Sequence, residues 1–456
     1  MERIKRLGEA RVSALVVKYS APAIAGMVIY GLNRIVGNVF VGKVLGEEAL
    51  AGFTVANSIV MIQLAFIMLV GTGSSALISI VLGKGDRDRA SRALGCATAL
   101  GLVLGIAITV VFEAFAVPVL VAFGARGPSL EAALSFTRVY LPGSVFAIWN
   151  TTFNGAIRAE GQPGKALLTN VISFAINTAL TPVFLFAFPL GIAGIALANV
   201  ATQTVLAVWL GAHFLGKKTA MPLGAKSLAF DGEIAVKTLS IGVAPFFMHF
   251  LGASLALVTN NIVRSIAGDL GLAVAGSVFS VYFLLIMPLQ GTATGIQPII
   301  GYNFGAGKAD RVRRTVLASL AFTFAICVVE CALAVVFRAR LAGLFAKGDS
   351  ALVGLCATGL LFTLSAFPIA CVQFVASSYF LATGKSARAL GVNLFRSLGV
   401  LVPIMLLPAR MGLNGLFLAY PVMDVAVAAL CVALMADGLK RRDITATVAE
   451  KGAARV

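Results

Sequence analysis

Residues 83–89, GKGDRDR, and residues 305–311, GAGKADR, are one polar turn written twice, 222 positions apart, each at the end of a long apolar run. Gly73 and Gly295 keep the same offset. Further along each half, Ala159, Gly161, Ala166, Leu167 and Asn170 recur as Ala382, Gly384, Ala389, Leu390 and Asn393, an offset of 223. Gly191, Gly194, Leu197 and Ala198 recur as Gly412, Gly415, Leu418 and Ala419, an offset of 221. Nearly constant offsets at three separated places point to duplication of one unit, the construction common in membrane transport folds.

The duplicated unit is apolar. Of 456 residues, 59% are hydrophobic and 12% charged, where a soluble domain carries roughly a quarter charged residues. A bilayer core about 30 Å thick takes roughly 20 apolar residues per helix, and twelve such runs can be read. They are Leu15–Val41, Leu50–Ile80, Ala93–Val119, Ala132–Ala156, Ala166–Phe188 and Ile192–Phe214, then Thr238–Val263, Leu272–Ile300, Thr315–Phe337, Leu352–Leu381, Ala389–Leu407 and Leu413–Leu434. The predicted fold is an all-α polytopic membrane protein of twelve transmembrane helices in two homologous six-helix bundles. Its parts are an N-terminal lobe (1–215), a polar cytoplasmic linker (216–237) and a C-terminal lobe with a short basic tail (238–456). Six is even, so both halves share one orientation, and a parallel repeat of this kind predicts a cleft between the lobes.

The net charge of +17 is spread over alternate loops and forms no single basic patch, which argues against a nucleic-acid partner. Most of the 36 Lys and Arg fall on the side that carries the termini, so the positive-inside rule places both termini in the cytoplasm. The first apolar run is too long for a signal peptide and ends without a clear small-residue cleavage site, so it is read as a retained helix. Cys96, Cys327, Cys331, Cys356, Cys371 and Cys431 lie in apolar surroundings without CxxC or metal-ligand spacing and read as packing residues.

No HExxH, GxxxxGK[ST] or GxSxG motif occurs, which disfavours a membrane enzyme or an ATP-driven pump. No metal or cofactor is expected. Charge inside the spans is the more informative signal, because an ionisable group near the bilayer centre is costly unless paired or wetted. Asp424 sits about 15 Å into the twelfth span at 1.5 Å per residue. Arg396, about 10 Å in on the preceding span by the same count, has the reach to pair with it, either for coupling or for structure alone. Glu113 and Glu330 fall in outer parts of their spans, where pairing or interfacial water suffices. Arg34 stands between Asn33 and Asn38, placed either to select substrate charge or to snorkel. His249 is a lone intramembrane imidazole, more often packed than functional. Amides recur along the spans, and those expected to line the cleft are Asn33, Asn38, Asn154 and Asn177, with Thr181, in the first half and Asn260, Gln297, Gln373 and Asn393 in the second. Pro22, Pro182, Pro245, Pro288, Pro298, Pro368, Pro403 and Pro421 lie inside spans, where each forfeits a backbone bond and permits bending.

Two segments are similar to signatures of the multidrug and toxic compound extrusion (MATE) family, in its MepA-like bacterial branch. They are Gln297-Pro298-Ile299-Ile300-Gly301-Tyr302-Asn303-Phe304-Gly305-Ala306 and Pro421-Val422-Met423-Asp424. Phe40-Val41-Gly42, Arg158-Ala159-Glu160-Gly161 and Gly191–Ala196 extend the resemblance into the first half. It implies proton- or sodium-coupled export of small organic, cationic drugs or metabolites across the bacterial cytoplasmic membrane, by a multi-pass chain acting as a monomer in the lipid bilayer. Two family acids are replaced, by Gly37 in the first span and by Thr181 before Pro182 in the fifth, which leaves Asp424 with Arg396 as the coupling candidates. The rival readings are a flippase for lipid-linked or polysaccharide precursors, for which Arg34 suits a basic cleft, and a non-transporting receptor or membrane enzyme.

Overall fold

The computed structural model describes residues 2–188, 190–216, 219–224, 227–343 and 350–439. Within its helices the side chains of Arg34 and Asn38, two of the expected cleft residues, lie outside the described part. The helices are α1 (Glu2–Glu9), α2 (Val12–Phe40), α3 (Gly46–Gly83), α4 (Arg87–Ala122), α5 (Pro128–Tyr140), α6 (Ser144–Ala159), α7 (Pro163–Pro182), α8 (Ile192–Leu215) and α9 (Gly232–Gly305). There follow α10 (Ala309–Val336), α11 (Arg338–Gly343), α12 (Ser350–Leu364), α13 (Cys371–Ala382), α14 (Ser386–Gly399), α15 (Leu401–Leu406), α16 (Pro408–Met411) and α17 (Leu413–Gly438).

Nine helical stretches among the described residues are long and apolar enough to cross a membrane, and the bent pair α12–α13 makes a tenth. The 74-residue α9 is two spans, since Ala267 and Gly268 leave helical geometry (φ −139° and 56°). The twelfth is α5–α6, joined through the short 3₁₀ turn Leu141–Gly143. The fourth span of each half is thus broken at a proline, Pro142 in one and Pro368 in the other, because proline lacks an N–H and crowds the preceding turn. Large apolar side chains such as Val103, Ile106 and Val110 of α4, 52–62% exposed, face outward at helical spacing, as lipid-facing residues do.

The duplication reaches the backbone. Glycines with positive φ close equivalent turns at Gly46 and Gly268, Gly85 and Gly307, Gly161 and Gly384, and Gly191 and Gly412, a conformation that costs glycine nothing. The turn that opens the sequence reading shows the local logic: after Gly85, Asp86 caps α4 by accepting the Arg89 N–H at 2.9 Å.

The halves meet through the same glycines. A Cβ on Gly83 would stand 2.1 Å from the Tyr302 carbonyl, and one on Gly305 would stand 2.0 Å from the Ile80 carbonyl. Ile80 and Tyr302 are themselves 222 positions apart, so this is one contact made twice about a two-fold pseudo-axis. Deeper in, Gly73 approaches the Thr238 carbonyl (2.2 Å for a Cβ) and its counterpart Gly295 approaches that of Tyr19 (2.7 Å). Among the described residues, the backbones of the two halves lie almost in contact along the part of α2, α3 and α9 that faces the termini. Towards the opposite side, Gly37, Gly252 and Gly276 have nothing within 4 Å of a Cβ, and Asn260, Arg264 and Leu270 are exposed. Among the described residues, the halves close on each other at the end bearing the termini, and these glycines show no such approach at the other.

Two short segments brace the closed end. The amphipathic α1, absent from the sequence reading, buries Ile4, Leu7 and Gly8. Its carbonyls are taken by the second half: Leu7 accepts from Asn303 Nδ2 (2.9 Å), Gly8 from Lys308 Nζ (2.9 Å) and Ala10 from Arg311 Nη2 (2.7 Å). The connecting stretch packs as well. Glu160, 3% exposed, accepts from the Ala220 N–H (2.8 Å) and from Thr219 Oγ1, and its other oxygen pairs with His213 Nε2 at 2.9 Å. Met221 is fully buried, and Gly95 lies so close to Ser227 that a Cβ there would meet its carbonyl at 1.9 Å.

Candidate functional site

The second half buries one ion pair between three helices. Arg396 on α14 donates to Asp424 Oδ1 on α17 from Nη2 at 2.9 Å and from Nε at 3.3 Å. The Tyr282 hydroxyl, from the second arm of α9, accepts from Arg396 Nη2 at 3.2 Å and donates to Asp424 Oδ2 at 3.4 Å. Both carboxylate oxygens are therefore engaged, as a buried charge requires. The Asp424 side chain is 1% exposed and that of Arg396 22%, so what exposure the pair has lies on the arginine side chain.

Aromatic rings wall the pair. Tyr282 lies 6.0 Å from both Phe367 and Tyr420, and Tyr420 lies 5.1 Å from Phe279. Behind Arg396, Gly399 leaves room for Met423, whose Cε would be 2.6 Å from a Cβ there. The Arg396–Asp424 juxtaposition expected from adjacent spans is present. Tyr282 was not foreseen, because a tyrosine in an apolar run reads as packing, and only its hydroxyl's position between two charges marks it.

The amides divide into two groups. Asn154 is consumed in joining α6 to α7: its Nδ2 donates to the Ala166 carbonyl at 3.1 Å and its Oδ1 accepts from Arg158. Asn393 likewise donates to the Ala244 carbonyl (3.3 Å) and accepts from Ser377 (3.3 Å), and Gln297 crosses between the halves to the Thr72 carbonyl (3.4 Å). In contrast, Asn33 Oδ1, Asn177 Nδ2 and Gln373 Oε1 are buried without a hydrogen-bond partner among the described residues. Thr181 bonds back to the Asn177 carbonyl at 2.7 Å, and Asn260 is exposed. Buried polar atoms left unpaired cost about 1–3 kcal/mol each and are the groups most ready to meet a polar solute or water. Among the other charges of the spans, Glu113 pairs with Arg138 at 2.9 Å on the exposed surface, a structural contact. Glu330 Oε2 is buried without a partner among the described residues.

Fold and site together define a duplicated twelve-span membrane protein, closed at one end, with an ion pair buried in one half and unpaired amides in both. The family model MatE matches residues 22–183 and again 245–407, once in each half, and the chain belongs to that family. It is similar to the multidrug export protein MepA of Staphylococcus aureus, at 22% identity over 418 residues and 91% of each chain. It is similar also to MepA of Staphylococcus saprophyticus, at 24% over 404 residues, 88% of this chain and 86% of that one. In fold it matches a multidrug resistance MATE transporter of the MOP superfamily in an outward-facing conformation, with a TM-score of 0.91 at 22% identity over 98% and 99% of the two chains. A MOP superfamily transporter from Pyrococcus furiosus, described as having a binding pocket of reversed polarity, matches at 0.90 and 22% identity over 96% and 99%.

Proposed function

We propose that this chain is a secondary active transporter that exports organic, cationic drugs or metabolites by proton- or sodium-coupled antiport, working as a monomer by alternating access. The observation that carries this reading is the buried Arg396–Asp424–Tyr282 group. A proton or cation taken up at Asp424 releases Arg396, leaving an uncompensated guanidinium in a nearly dry site, so the loaded and empty forms favour different packings of the three helices. The basic loops on the termini side support placing that side, the closed one, in the cytoplasm, which makes the arrangement outward-open in the bacterial cytoplasmic membrane. The likeness to MepA supports drug export.

One observation favours a second reading. The less buried member of the pair is Arg396, not Asp424, and a guanidinium within reach of a solute suits an anionic one such as the headgroup of a lipid-linked precursor. Both readings are tested in vesicles by following fluorescent cations and anions under imposed proton or sodium gradients, in the wild type and in Asp424→Asn. The proposal requires gradient-driven movement of cations that Asp424→Asn abolishes. Driven transport unchanged by that substitution refutes Asp424 as the coupling residue, and transport of anions alone selects the second reading.

A further inference from the structure

Away from the ion pair, on the termini side of the first half, a cavity of about 450 Å³ lies between α1, the start of α2 and the start of α7. Four of its lining residues are cationic, Arg3 and Arg6 of α1, Lys18 of α2 and Lys165 of α7, and none is acidic. Two carboxylates answer part of this charge: Glu2 reaches the lining Arg6 at 3.6 Å with both side chains largely exposed, and Glu160 pairs with His213, whose Nδ1 lies 2.8 Å from Lys165 Nζ, so the surplus rests chiefly on Arg3 and Lys18. The 20-residue α7 points its N-terminus into the same space, and its N-cap Gln162 makes no side-chain capping bond. That end of a helix carries partial positive charge, although Pro163 has no N–H and those of Lys165 and Ala166 already bond the Gln162 carbonyl.

The cavity continues upward as a narrow crevice of about 30 Å³ between α2 and α7, sharing Tyr19, Pro22 and Pro163 with the space below. Its walls are mostly apolar, with Ala23, Met27 and Leu167, but Arg158 stands at the inner end. Among the described residues the buried Arg158 Nε has no hydrogen-bond partner, and Nη1 donates to the neutral Asn154. On the same helices Val17, Leu168 and Val171 present exposed apolar side chains, 42–48% accessible.

A net positive cavity costs electrostatic free energy unless an anion fills it, and a basic mouth leading to apolar helix faces suits a ligand with an anionic head and apolar tails. Basic pockets between transmembrane helices on this side bind phospholipid headgroups elsewhere. We propose that the cavity is a phosphate-binding site occupied by the headgroup of an anionic phospholipid, whose chains run along α2 and α7. Since α1 also bonds to Asn303, Lys308 and Arg311 of the second half, a bound headgroup strengthens the closure of that end. The inference does not depend on which solute is transported.

The chain contains two tryptophans, and Trp209 stacks under Lys165 with Nζ 5.7 Å from the ring centroid, so it reports on this wall. In a Trp149→Phe background, full-length protein in nanodiscs is titrated with bromine-labelled phosphatidylglycerol or phosphatidylcholine, and Trp209 quenching is read. The anionic phosphatidylglycerol should quench at the lower mole fraction, and Arg3→Gln/Lys18→Gln should reduce that preference by about fivefold per basic side chain removed. The control Arg313→Gln/Arg314→Gln removes two exposed charges elsewhere on the same side and should leave the preference intact. Melting temperatures check that both double variants fold. An unchanged preference in Arg3→Gln/Lys18→Gln, or an equal loss in the control, overturns the site. If inorganic phosphate or glycerol 3-phosphate occupies it, read as resistance of Lys165 to acylation, while no preference between the lipids exists, the phosphate chemistry stands and the lipid as its source is refuted.

Discussion

Adding one methyl group at Gly83 should pry the closed end apart. Its Cβ would sit 2.1 Å from the Tyr302 carbonyl oxygen, whereas ordinary contact begins at 3.4 Å, so the two backbones must part by about 1.3 Å. Neither partner can swing aside as a side chain could, because both are main chain, in the last turns of α3 and α9. Overpacking of this kind costs about 1–3 kcal/mol. Where opening relieves the clash, the ratio of open to closed forms at this end rises about 5- to 150-fold. The pseudo-two-fold adds a stringent condition: Gly305→Ala, with its 2.0 Å approach to Ile80, should behave as Gly83→Ala does. Pulsed electron paramagnetic resonance between spin labels at the exposed, symmetry-related positions Arg92 and Arg314, in a background without native cysteines, measures the separation. The wild type should give a short, narrow distance and each alanine variant a longer population. Distances unchanged in both variants, with the folded protein intact, would refute the claim that these glycines hold the halves together.

Three further expectations follow from named contacts. Asp424→Asn should destabilise the folded protein by about 3–5 kcal/mol by stranding Arg396, while Arg396→Met/Asp424→Leu recovers most of that loss. Thermal unfolding in detergent checks this, and additive losses would count against a coupled pair. Arg311→Gln removes the donor to the Ala10 and Leu7 carbonyls and should raise hydrogen exchange across α1 by about tenfold, for roughly 1.5 kcal/mol of lost charged hydrogen bond, leaving α17 unaffected. Gly95→Val drives a side chain into the Ser227 carbonyl and should speed tryptic cleavage at Lys217, Lys218 or Lys226; an unchanged rate would mean that the connecting stretch does not depend on packing against α4.

The twelve spans and the duplication were legible because both are written in long-range regularities, apolar length and constant offset. The glycines that marked the repeat turned out to be the contact surface itself, since small residues survive wherever backbones must touch. Arg396 with Asp424 was legible because intramembrane charge is rare enough to demand a partner. Asn154 was not: nothing in a sequence distinguishes an amide that faces a cleft from one that ties α6 to α7. Nor was α1, whose eight residues bury few apolar side chains and draw their hold from main-chain carbonyls, which carry no residue identity.

The docking of α1 also sets an order of assembly. Its acceptors at Leu7 and Gly8 wait for donors 296 and 300 residues further on, so at about 5–20 residues per second a ribosome needs roughly 15–60 s after making α1 before it has made Asn303 and Lys308. During that interval the first six spans are in the membrane with their starting segment undocked. Seating it is a late event of biogenesis, one that registers the arrival of the second half, and a bulky fusion at the amino terminus would burden that step rather than insertion.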